Sequence, residues 1–274
     1  MKSRVSFTVD PGIIDKLDSL VDNISYRSKS EAVESILKKY FESQKNVVIL
    51  CGGNLVMEGS NLYSPLVKIG SETIIESIIG NVRKSGFRNI IISGKSEILK
   101  NIFLILRNGE GFGVDIKYFD DNEVMGDAKA LEKLKDYITS TTLFIPGDSV
   151  FSIDLKDMLS FHNSHSSTAS IAVLNTTSED YETDAVLAIR GNKVTGYKKV
   201  ETKLKSKLIP TNIMLFEPSL LKFIPPGNMS WRIHHDLLPI LAKEEVLSAY
   251  LSNGGWVKIR SFKDLERARV LLSR

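Results

Sequence analysis

The sequence predicts an α/β chain in two parts: a small module of one strand and two helices, then a large mixed sheet with helices on both faces. Three observations predict it. A strand-like alternation over residues 4–9 precedes two amphipathic helical patterns, all before residue 47. From Val47 onward, short apolar runs alternate with helical stretches, the order of strand–helix–strand units. Only a short polar stretch, Glu42-Ser43-Gln44-Lys45-Asn46, joins the two parts, so domains over 1–46 and 47–274 are expected.

In the first part, Val5, Phe7 and Val9 alternate with Arg4, Ser6 and Thr8, the period of a strand with one buried face. Asp10 is a good helix N-cap, and Pro11 suits the first helical position because its missing N–H needs no partner there. Ile13, Ile14, Leu17, Leu20 and Val21 recur at helical spacing. Ser28 and Glu31 have the spacing of a capping box, so a second helix starts there, with Ala32, Val33, Ile36, Leu37, Tyr40 and Phe41 as its stripe. So small a module buries too little apolar surface alone, and its single strand has no partner. A homodimer or higher homo-oligomer with paired strands is therefore expected.

This order of elements resembles a ribbon-helix-helix DNA-binding domain, carried by the amphipathic strand, the Asp-Pro helix start and the Ser28-Lys29-Ser30-Glu31-Ala32-Val33 entry to the second helix. The resemblance implies double-stranded DNA as partner. A two-stranded ribbon fits the major groove, which places Arg4, Ser6 and Thr8 against base edges. Free amides around Ser28, Lys29 and Ser30 form a phosphate site at the helix start, with Arg27 and Lys29 adding charge and Lys2 reaching the backbone. Residues 1–46 hold eight Lys and Arg against seven Asp and Glu, and the 274-residue chain carries only +3. Affinity would then come from a few placed cations and not from a diffuse field.

In the second part, strands are expected at 47–50, 89–93, 115–119 and 142–146, with helices over 72–84, 95–106 and 128–138. Strand-like runs follow at 169–174, 185–189 and 213–216, and an amphipathic segment over 262–272 closes the chain. The one cysteine, Cys51, excludes an intramolecular disulfide and fits a reducing, cytoplasmic setting. No apolar run is long enough to span a bilayer, so no membrane partner is expected. His162 and His165, and His234-His235-Asp236, lack the further ligands a metal site needs and read as surface or capping residues.

Ligands of such sheets bind at the carboxyl ends of the strands, which selects Gly52 and Gly53 after the first and Gly147-Asp148 after the fourth. Together with Pro65 to Gly70 and Gly126-Asp127-Ala128, these landmarks resemble the sugar-phosphate nucleotidyltransferase family over about 47–272. The resemblance implies a Rossmann-like, nucleotidyltransferase-type sheet. It also implies a nucleotide or sugar-nucleotide ligand beside Gly52, Gly53 and Asp148, the last falling where the family has a metal-binding aspartate. Asn212 lies near the family's sugar-site strand, and 256–268 resembles its late Trp-containing region.

The departures shape the functional expectation. Met57 stands where the resemblance places a loop arginine, Ser64 where it places a lysine, and Lys258 where it places a second metal aspartate; Lys198-Lys199-Val200 replaces a Glu-Lys-Pro-like motif. Nucleotidyl transfer needs cations against phosphate charge, and one carboxylate is a poor Mg²⁺ site. The reading is therefore a DNA-binding transcription regulator with a catalytically inactive body, no catalytic residues, no cofactor and no metal. Two alternatives stand beside it: a working sugar-1-phosphate nucleotidyltransferase whose N-terminal module oligomerises or tethers it, and a DNA-tethered scaffold without a ligand.

Overall fold

The structure, a computed structural model, describes all residues except 1–5, 7, 23, 43–44, 123–124, 176–181, 206–207 and 274; side chains at 38–42, 182–184 and 199–205 also lie outside the description. Chain contacts divide it into two compact units, Met1–Gln44 and Lys45–Arg274.

The first unit contains α1 (Pro11–Leu20) and α2 (Lys29–Glu42). Asp10 caps α1 by accepting from the Gly12 N–H at 2.8 Å. Ser28 Oγ accepts from the Glu31 N–H at 3.2 Å, while the Glu31 carboxylate reaches back to the Arg27 N–H at 2.8 Å. The box therefore closes one residue earlier than its usual form. Ala32 of α2 is fully buried, but Ile13 and Leu20 of α1 stay exposed, and α1 buries no residue. Of the expected strand, Arg4, Val5 and Phe7 lie outside the described residues, as does Lys2 ahead of it, and Ser6, Thr8 and Val9 are exposed and in no strand. A ribbon's hydrogen-bond ladder needs a second strand, and a single chain supplies none.

The second unit opens with β1 (Asn46–Cys51), then a two-residue hairpin of β2 (Lys68–Ile69) and β3 (Glu72–Thr73), and α3 (Ile74–Lys84). Next come β4 (Asn89–Gly94), α4 (Ser96–Leu106), β5 (Asp115–Asp120), α5 (Asp127–Lys133), β6 (Thr142–Pro146), β7 (Ser149–Phe151) and α6 (Leu155–His165). The chain continues through β8 (Ala169–Asn175), β9 (Glu182–Arg190), β10 (Lys193–Lys205), β11 (Leu208–Phe216), α7 (Leu238–Lys243), β12 (Leu247–Ser252), β13 (Trp256–Lys258) and α8 (Phe262–Leu272). Nine strands form one sheet in the order β5-β4-β1-β6-β11-β8-β12-β10-β9. β5, β4, β1 and β6 run parallel, as do β8 and β12, while β11 is antiparallel to both β6 and β8.

Successive β1 side chains feed opposite faces, as a strand's two-residue period requires. Val47, Ile49 and Cys51 join a core with Ile75, Ile79 and Ile92, whereas Val48 and Leu50 join a second core with Leu131, Phe144 and Leu237. Covered on both faces, the strand reads as a continuous apolar run. Thr73 caps α3 with a complete capping box to Glu76. The helix expected over 128–138 ends at Lys133, yet Leu134 and Ile138 remain buried.

Candidate active site

The site lies where β1, β4 and β6 end. Because these strands are parallel, the turn at Gly52-Gly53, the segment after Gly94 and the Gly147-Asp148 turn emerge side by side. Gly53 has φ of 76°, a conformation that costs glycine little. Gly147 donates its N–H to Leu50 O at 2.8 Å, and a Cβ there would strike Cys51 Sγ, so the two turns pack too closely for a side chain.

Two carboxylates flank the glycine turn. Asp121, which follows β5, is held by its N–H to Gly94 O at 2.9 Å and by Ser93 Oγ, which donates to Oδ2 at 3.2 Å. On the other side Asp148 is 2 % exposed. Its Oδ2 faces Lys258 Nζ at 3.5 Å, and its Oδ1 has no hydrogen-bond partner among the described residues. Burial raises the Asp148 pKa, with Lys258 and Arg260 pulling the other way. Burial also pushes the Cys51 thiol up, and the charges of Asp148 and Asp121 add to it. Asp127, at the start of α5, accepts from the Ile233 N–H at 2.7 Å; burial raises its pKa, opposed chiefly by the Ile233 and Ala128 amides and last by Lys258. Lys258 thus acts on two acidic groups at once.

Lys258 is placed by a short ribbon. β13 pairs with β7, which starts directly after the Gly147-Asp148 turn, and the Ile259 N–H donates to Asp148 O at 2.8 Å. The loop after the glycine turn ties to the same segment. Glu58 N–H donates to Arg260 O at 2.8 Å, Ser64 Oγ donates to Ile259 O at 2.8 Å, and Ser64 N–H donates to Leu55 O at 2.8 Å. Ser64 and Met57 are each 1 % exposed. They are interior residues of this loop, and the charged groups sit on the 258–260 segment instead.

The sequence-selected Gly52, Gly53 and Asp148 therefore come together. Asp121 was missed; its only signal was its place at a strand end. A divalent cation, which the resemblance implies, is poorly served here. Asp148 already faces an ammonium, and among the described residues no group of three or more His, Cys, Asp or Glu side chains is assembled to hold a metal.

His162 departs from its expected surface or capping role. It is 2 % exposed, with Nδ1 2.8 Å from Ser170 Oγ and Nε2 3.1 Å from Glu217 Oε1. This cluster lies at the opposite end of the sheet, beside the start of β8. Asn212 is half-buried on β11. Lys199 and Val200 have side chains outside the description.

Parallel strands with glycine turns and carboxylates at their carboxyl ends define an α/β body of the doubly wound kind, whose ligands bind at those strand ends. The chain belongs to the nucleotidyl transferase family, whose model matches residues 46–272. It is 27 % identical over 229 residues to a UTP–glucose-1-phosphate uridylyltransferase of Synechocystis sp., covering 77 % of this chain and 58 % of that protein. It is 26 % identical over 243 residues to the bifunctional protein GlmU of Methanocaldococcus jannaschii, covering 84 % and 55 %. The chain thus spans a little over half the length of these relatives. Among solved structures, a Bacillus anthracis protein described as a glucose-1-phosphate thymidylyltransferase, with sucrose bound, superposes with a TM-score of 0.70 at 21 % identity. That match covers 83 % of this chain and 94 % of the other and shows a shared fold.

These likenesses overturn the expectation of a DNA-binding transcription regulator with an inactive body. The relatives are named as enzymes, and the matched family spans nearly the whole second unit. The assigned DNA contacts gain no support. Lys2 and Arg4 lie outside the described residues, Ser6 and Thr8 are exposed and in no strand of the single chain, and Arg27, Ser28 and Ser30 are exposed at the start of α2, where Ser28 caps the helix. The Lys29 ammonium is engaged with Asp18 at 2.7 Å. Inactivity was inferred from Met57 and Ser64, read as replacing an arginine and a lysine, and from Lys258, read as replacing a metal-binding aspartate; the family match and the enzyme names of the relatives favour the working-enzyme alternative instead. No helix among the described residues is long and apolar enough to cross a membrane.

Proposed function

We propose that the second unit catalyses nucleotidyl transfer to a sugar 1-phosphate. An oxygen of the sugar phosphate bonds to the α-phosphorus of a nucleoside triphosphate. The bond from that phosphorus to the bridging oxygen breaks, and pyrophosphate leaves with the negative charge. Gly52 and Gly53 let the backbone approach the phosphates without side-chain obstruction. Asp148 orients Lys258, and Lys258 with Arg260 stands against the charge that develops on the leaving group.

The observation that carries this reading is the match to the nucleotidyl transferase family across 46–272, with the turns that hold Gly52, Gly53 and Asp148 following the neighbouring parallel strands β1 and β6. The test is a pyrophosphate-release assay on the full chain, run over the common nucleoside triphosphates paired with glucose, mannose and N-acetylglucosamine 1-phosphates. One pair is expected to release pyrophosphate and sugar nucleotide in equal amounts. Release with none of the pairs, by folded protein that binds the nucleotide, would overturn the reading.

A further inference from the structure

We infer that Lys258 is a built-in cation of the cleft, gripping phosphate oxygens directly so that the site binds a diphosphate without a divalent metal. The inference rests on reading the cleft as a phosphate site. Two carboxylates around a divalent cation carry no net charge, and neither does one carboxylate beside one ammonium. Asp148 and Lys258 reproduce that balance from within the chain.

The placement is firm. β13 is fixed to β7, the neighbouring Ile259 is bonded through both its N–H and its carbonyl, and the Arg260 carbonyl accepts from Glu58. An ammonium has three donors, and Asp148 takes at most one at 3.5 Å, so donors remain for a ligand. The Lys258 side chain is 28 % exposed while that of Asp148 is 4 % exposed, which puts the cation at the cleft surface and its counter-charge behind it. A divalent cation brought to Asp148 would stand within a few ångströms of this ammonium and be repelled by it.

The experiment is calorimetric titration of the full chain with inorganic pyrophosphate, in EDTA and again with excess Mg²⁺. The native chain is expected to bind in EDTA, with an affinity that Mg²⁺ improves less than about threefold. Lys258→Met alone would strand a buried carboxylate, so Asp148→Asn/Lys258→Met, which removes both charges, is the variant to use. It is expected to bind pyrophosphate about tenfold or more weakly in either buffer, while its circular dichroism and melting remain those of a folded protein. Lys258→Asp is expected to bind only with Mg²⁺ or Mn²⁺ present and to gain thermal stability when either ion is added. Binding by the native chain that requires Mg²⁺, or undiminished binding by the folded double variant, overturns the role of Lys258 and leaves the phosphate site standing. Absence of pyrophosphate binding in both buffers overturns the phosphate site itself.

Discussion

One methyl group at Gly52 would test how the glycine turn and Asp121 fit together. In Gly52→Ala the new Cβ lies 2.5 Å from Asp121 Oδ2, 3.2 Å from Cγ and 3.3 Å from Oδ1. Gly52 has no positive φ, so the effect is steric; at Gly53, by contrast, φ is 76° and the surrounding space is open. Relief requires the Asp121 carboxylate to turn away, which gives up the Ser93 hydrogen bond, a loss of about 1 kcal/mol. Pushing a largely buried carboxylate into an off-rotamer position adds about 0.5–1.5 kcal/mol. The total of about 1.5–2.5 kcal/mol lowers the melting temperature by about 2–4 °C for each kcal/mol in a body of this size. Urea unfolding of Gly52→Ala, Asp121→Ala and the double variant supplies the measurement. Once the carboxylate is gone, Gly52→Ala is expected to cost less than about 0.5 kcal/mol. An equal cost in both backgrounds would refute the steric account.

Two further outcomes follow from buried titratable groups. Cys51 is 1 % exposed and its thiol is raised by burial and by two neighbouring carboxylates, so iodoacetamide at pH 8 is expected to leave it unmodified until denaturant is added; rapid labelling of native protein, read by mass spectrometry, would contradict this. At His162 burial lowers the pKa below 6.5 and outweighs the pull of Glu217. The folded chain then binds fewer protons than the unfolded one, so this contribution is fully present above pH 6.5 and is lost as pH falls below it. Urea unfolding from pH 7.5 to 5.5 is expected to show a decline, at most about 1.4 kcal/mol per pH unit, that His162→Gln removes. Identical pH profiles for the two proteins would show that His162 does not titrate on unfolding.

The elements that were legible in the sequence are those whose period is set by burial. β1, β4 and β6 are covered on both faces and appear as apolar runs, and α8 shows a clean stripe that starts and stops where the structure has it. β10 was not anticipated because Lys193–Lys205 is rich in polar residues near the sheet edge, where one side needs no apolar cover. α6 was missed too, although Leu155, Met158, Leu159 and His162 follow helical spacing on its buried side. That spacing was the available sign that His162 faces inward. α5 was extended too far because Leu134 and Ile138 keep the apolar period after the helix has given way to turns.

The functional expectation failed for a related reason. Residue types at single positions were read as fixed roles, whereas charge in a cleft belongs to whichever element can carry it cheaply. Position 64 is enclosed between the carbonyls of Leu55 and Ile259; its N–H serves the first and a serine hydroxyl serves the second without bringing in a formal charge. A lysine there would bury its ammonium with no carboxylate shown against it, at a desolvation cost of several kcal/mol. Position 57 is likewise enclosed by the apolar core and takes Met. Lys258 instead keeps partial contact with water, with the buried Asp148 beside it. The loop packs against the segment that carries Lys258, tied to Ile259 and Arg260 by Ser64 and Glu58. Sequence comparison registers each of these positions as a loss, while in three dimensions the packing at 57 and 64 and the charge at 258 are parts of one arrangement.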